Sequence, residues 1–192
     1  MPEVAIPHVI GTLMLLMIMA AISGYAVSRN TQANLDISAV SLQEVAEKVA
    51  SDIISVVDLS TISGNTSFTY KVINVPDSIN NRGYNITLSQ SGSSWQVVAY
   101  SLENSFVKGQ AKLFFSSGDT STPSVALTCV SKTGNFTIMS SGRTLQLLYG
   151  PTLSSGVGKA IGSAYKPVVW CQIYQDINVQ KIMVGFGRLK VI

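Results

Sequence analysis

Few residues in this chain could do chemistry. His8 is the only histidine, and it lies in an apolar stretch near the start, so the rest of the chain cannot form a histidine-based acid/base pair or triad. Beyond residue 60 the acids are Asp77, Glu103, Asp119 and Asp176, far apart in sequence and without D-x-D spacing. "GVGKA", Gly156 to Ala160, has the look of a phosphate loop. That loop needs a glycine five residues before Gly158 and a Ser or Thr after Lys159, and the chain offers Leu153 and Ala160. There is no C-x-x-C, which with a single histidine leaves no zinc site. No aromatic-and-basic stretch marks a nucleic-acid interface. The expectation is a protein that is not an enzyme, with no cofactor, no metal and no nucleic-acid partner.

Two other groups of residues carry covalent chemistry. Cys129 and Cys171 both sit in strand-like runs. A disulfide between two strands suits an extracellular domain; two buried free thiols are the competing reading, and the bridge is the one favoured. Asn65, Asn85 and Asn135 each begin an N-x-Ser/Thr sequon, and glycans there would place the domain outside the cell.

The elements that position these residues fall into two parts: residues 1–60, and an all-β head over 61–192. The first contains "PHVIGTLMLLMIMAAISGYAVS", Pro7 to Ser28, inside a run of 25 residues (Val4 to Ser28) without Asp, Glu, Lys or Arg. Leu, Met, Ala and Ile dominate it and favour helix, and Pro7 fits a first helical turn. At about 1.5 Å per residue such a helix spans a ~30 Å hydrocarbon core. A removable secretory signal is disfavoured, because there is no basic segment before the run and no A-x-A exit after it. From Tyr25 to Ser63 neither Pro nor Gly interrupts, and Leu42, Val45, Val49, Ile53 and Val56 recur at steps of three and four. One helix is predicted from about Ile6 to Asp58, with a possible break at Asp36–Ser38. Its first half is apolar all round and its second half amphipathic.

A helix apolar on every side must be covered on every side. The candidate packing core is Ile10, Leu13, Leu15, Leu16, Ile18 and Ile22. Glu3 is a candidate assembly contact, since an acid beside an apolar helix could pair with a neighbour's N-terminal amine and set axial position. His8 is another, as a polar contact that sets register. Charge divides too: residues 1–60 carry net −4 and the remainder net +7, with only 12% charged residues overall, about half the usual share.

From Ser67 the hydrophobic period changes to two. Nine strand-like runs are predicted, beginning with "SFTYKVINV" and ending with "NVQKIMVGFGRLKVI". A turn at Lys132–Asn135 joins "SVALTCVSK" to "NFTIMSS", and residues 150–167 read as a Gly/Ser-rich loop. The predicted fold is α+β: a long N-terminal hydrophobic helix followed by an antiparallel sandwich or small barrel.

This layout resembles the archaeal type IV pilin and archaellin superfamily. "INVPDSINNRGYNITL", Ile73 to Leu88, is similar to a strand–turn–strand stretch of archaeal pilin-like proteins. In architecture the resemblance covers the whole chain; in sequence it covers these two regions. It implies a helical homopolymer of identical subunits, inserted in the membrane before assembly, with helices in the core and heads outside, serving surface adhesion. One feature departs from the pattern. Pilin precursors carry a short basic leader cut by a prepilin peptidase, and none stands before Pro2. Either the numbering starts at the processed terminus or the chain is not processed. The second case is similar to the archaellum stator proteins, membrane-anchored β-sandwiches that bind a surface-layer or motor partner.

Overall fold

The computed structural model describes residues 5–62, 68–91, 94–113, 126–129, 133–140, 143–154, 165–176 and 179–191. One α-helix, α1 (Ala5–Ile62), is followed by ten strands among these residues: β1 (Phe68–Val72), β2 (Tyr84–Ser91), β3 (Ser94–Ser101), β4 (Lys108–Leu113), β5 (Ala126–Cys129), β6 (Gly134–Ser140), β7 (Arg143–Gly150), β8 (Thr152–Ser154), β9 (Tyr165–Asp176) and β10 (Val179–Val191). Helix followed by sheets is the predicted α+β class. The chain groups into two compact units, Met1–Ser38 and Ala39–Ile192, so the amphipathic half of α1 belongs with the strands.

The break considered at Asp36–Ser38 does not occur. Polar side chains there turn back onto the helix: Gln32 Nε2 donates to Asp36 Oδ1 at 2.9 Å, and Ser38 Oγ donates to the Asn34 carbonyl at 2.8 Å. Such i→i−4 bonds satisfy the hydroxyl without ending the helix. Ser60 back-bonds four residues to the Val56 carbonyl and Thr61 three residues to the Asp58 carbonyl, and α1 stops at Ile62.

In the second unit the strands form two sheets. One has the order β1-β9-β10-β7-β6 with β5 also paired to β10; the other has the order β4-β3-β2-β8. All pairs are antiparallel except β5–β10, which is parallel. The two runs that the predicted Lys132–Asn135 turn joins are not sheet neighbours: β5 joins one half of a β10 edge at Lys181–Val184, β7 takes the other half at Phe186–Val191, and β6 pairs with β7. Gly134, placed in a turn by the sequence, opens β6. A side chain there would meet the Tyr149 ring, its Cβ only 2.3 Å from the hydroxyl oxygen. The predicted loop at 150–167 contains a short strand, β8, because Thr152–Ser154 pair with Asn85–Thr87 of β2.

The main core joins the helix stripe to both sheets. Leu42, Val49, Ile53 and Val56 of α1 are at most 1% exposed and cluster with Ile86, Val97 and Leu113 of the four-stranded sheet and with Val169, Ile173 and Val184 of the other. All five residues of the predicted stripe are buried. A smaller cluster occupies the opposite face of the larger sheet, where Trp170 stacks on Phe68 at 5.9 Å and meets Tyr149 edge-on at 5.6 Å. Trp170 Nε1 donates to the Phe186 carbonyl at 3.2 Å, so the indole is buried with its polar atom satisfied.

"INVPDSINNRGYNITL" folds as an extended segment, a tight turn and β2. Ile79 and Arg82 exchange two backbone hydrogen bonds at 3.0 and 2.9 Å, and Asn80 and Asn81 both take positive φ (50° and 60°). That pair of angles is a type I′ turn, which asparagine tolerates better than other non-glycine residues.

Candidate functional site

The surface that sets this chain apart is the apolar part of α1 in the first unit. Twelve large hydrophobic side chains from Val9 to Val27 are each between 51% and 67% exposed. They include all six residues of the candidate packing core: Ile10, Leu13, Leu15, Leu16, Ile18 and Ile22. At 100° per residue these positions cover the whole circumference, so no side is left polar. The polar atom of Thr12 is withdrawn from that surface, since its hydroxyl lies within 3.0 Å of the His8 and Val9 carbonyls. Gly11 and Gly24 have no heavy atom within 4 Å of where a Cβ would stand, which leaves room for the close approach of another helix. By length and composition the helix can cross a membrane.

The apolar run has a marked end. The Arg29 guanidinium lies 5.8 Å from the centre of the Tyr25 ring, one turn earlier. An aromatic ring with a cation beside it suits the boundary between hydrocarbon and water. The i,i+4 spacing of Tyr25 and Arg29 is the signal for this pair that the sequence carries. Of the assembly candidates, His8 is exposed on the helix, and Glu3 lies outside the described residues.

In the second unit the expected disulfide is replaced by a free thiol. Cys171 is 0% exposed and unbridged. The register gives the reason. Val184 of β10 pairs with Cys171 of β9 on one side and with Cys129 of β5 on the other. Two strand spacings, about 9.6 Å, thus separate the cysteine backbones, beyond the ~7 Å that a disulfide bridges. Burial pushes the Cys171 thiol up, and a smaller opposing effect comes from its hydrogen bond with Ser60.

The sequons differ in their settings. Asn85, in β2, is half-buried, and its amide nitrogen, the atom a glycan would occupy, donates to the Tyr100 hydroxyl at 3.3 Å. Asn135, in β6, is exposed, as is Thr137 two residues on. Asn65 and the Gly156–Ala160 stretch lie outside the described residues. Among the described residues no group of three or more His, Cys, Asp or Glu could hold a metal ion. Two exposed side chains that the sequence did not single out, Leu102 and Phe106, stand at the β3–β4 connection, the latter 92% exposed. They follow no periodicity, so pattern reading had no means of finding them.

Comparison with protein-family models, with curated proteins and with solved structures gives no match for this chain.

Proposed function

We propose that this chain is a structural subunit of an extracellular pilus-like filament, self-assembling through the apolar half of α1 and serving surface adhesion. One observation carries the reading: the helix is apolar on every side over Val9–Val27, and none of its most apolar window is buried within the chain. Identical helices from neighbouring subunits would cover it. Burial from water contributes about 25 cal/mol per Å2 of apolar surface. Transfer from lipid contributes far less, so close helix packing has to drive assembly out of the membrane. The Tyr25–Arg29 pair suits a membrane-inserted stage before assembly. Asn135 is the proposed glycan acceptor among the described sequons, on an exposed strand of the head. Negative-stain microscopy of the purified native protein tests the reading. Long fibres that persist in detergent are expected. Single chains that remain in the detergent-solubilised membrane fraction would instead support the anchored, stator-like alternative, which the same Tyr25–Arg29 boundary also suits.

A further inference from the structure

β4 is the last strand of its sheet, and its outer edge offers backbone groups to any extended chain. In an antiparallel strand the N–H and C=O of one residue point to the same edge, and the edge alternates from residue to residue. Gln110 directs both groups away from β3, because both are bonded to Gln43 of α1. Its N–H donates to Gln43 Oε1 at 2.8 Å, and its carbonyl accepts from Gln43 Nε2 at 2.9 Å. This is the two-bond exchange that a residue on a neighbouring strand would make. The second amide proton of Gln43 is also used, toward Glu47 Oε1 at 2.7 Å, which holds the amide in this orientation. The helix backbone lies directly against the strand here: a Cβ on Gly109 would stand 2.3 Å from the Gln43 nitrogen.

The alternation makes Lys108 and Lys112 the other outward-facing residues of β4, and both are exposed. Suppose a second copy added its own β4 antiparallel about Gln110. Each Lys108 would then face a Lys112, and like charges directly opposite are destabilising.

We propose that Gln43 acts as a one-residue substitute strand which, with Lys108 and Lys112, closes the β4 edge against strand pairing with a second copy of the chain. The inference stands apart from the filament reading, since it is tested on single full-length chains held in detergent. Residue-resolved amide exchange should show Gln110 protected although it lies on a sheet edge. Gln43→Ala should speed its exchange at least tenfold while leaving Ala111, which faces β3, unchanged. Retained protection of Ala111 in that same variant separates loss of the bond from loss of the fold. The combined Gln43→Ala, Lys108→Thr, Lys112→Thr variant should gain a concentration-dependent dimer. Adding Gln110→Pro, which removes only an outward N–H, should abolish that dimer. The proposal is overturned if Gln110 exchanges in the native chain as fast as an unprotected amide, if the triple variant keeps the native mass, or if the dimer survives Gln110→Pro.

Discussion

Tyr84 shows how one side chain ties a turn to a sheet. It is 1% exposed at the start of β2, and its hydroxyl donates to the Pro76 carbonyl across the type I′ turn. Burial, helped by the negative charge of Asp77, pushes its phenol well above the ordinary value of 10.0. The sign follows from linkage. Below that ordinary value both folded and unfolded chains keep the proton, and stability is unaffected by this group. Above it the unfolded chain loses the proton while the folded chain holds it, so stability falls as pH rises. Denaturant unfolding between about pH 9 and 12 should show this decline, and Tyr84→Phe should reduce its slope; an unchanged slope would remove Tyr84 as the cause. Cys171 is a second buried group without a partner cysteine, and its position two strands from Cys129 makes it a packing residue.

At the scale of the element, α1 has one secondary structure and two kinds of surface. Ser38 bonds the Asn34 carbonyl one turn back and Gln32 bonds the Asp36 carboxylate, so the polar stretch around Asp36 does not break it. After residue 38 its stripe is the centre of the core, whereas Lys71 of β1 meets Asp52 at 2.7 Å on the solvent side. The ion pair is partly exposed and contributes at most about 1 kcal/mol. The stripe is worth far more. Ile53→Ala should destabilise the second unit by about 2–5 kcal/mol, the range for deleting a buried aliphatic side chain. Asp52→Asn should shift the same denaturant midpoint by only a small fraction of that.

At the scale of the whole molecule, the two surfaces separate folding from assembly. Leu15 and Ile18 are 61% and 58% exposed and belong to neither core cluster. Leu15→Asp or Ile18→Asp should leave the unfolding midpoint of the second unit where it is. The same substitutions should stop fibre formation, because a carboxylate would have to be buried among apolar helices or in lipid at a cost of about 2.5–3.5 kcal/mol or more. Normal fibres from either variant, seen by negative stain, would contradict the assembly reading. A lowered midpoint would contradict the separation of roles.

What the amino-acid order determined by itself was whatever rests on local pattern. The absence of charge from Val4 to Ser28, the stripe from Leu42 to Val56 and the change to a period of two after Ser67 each reflect which side of an element must leave water. The helix, its buried stripe and the all-β second part followed from these. Tertiary structure decided which strands meet. β5 pairs parallel to β10 rather than folding back on β6, and that choice places β10 between the two cysteines. β8 emerges from a Gly/Ser-rich stretch because β2 offers it an edge, and Gln43 reads as an ordinary surface glutamine until β4 is brought beside it. The physical reason is that strand pairing joins residues remote in sequence through backbone groups common to nearly all residue types. Side-chain identity therefore reports which face is buried far more clearly than which edge finds which partner.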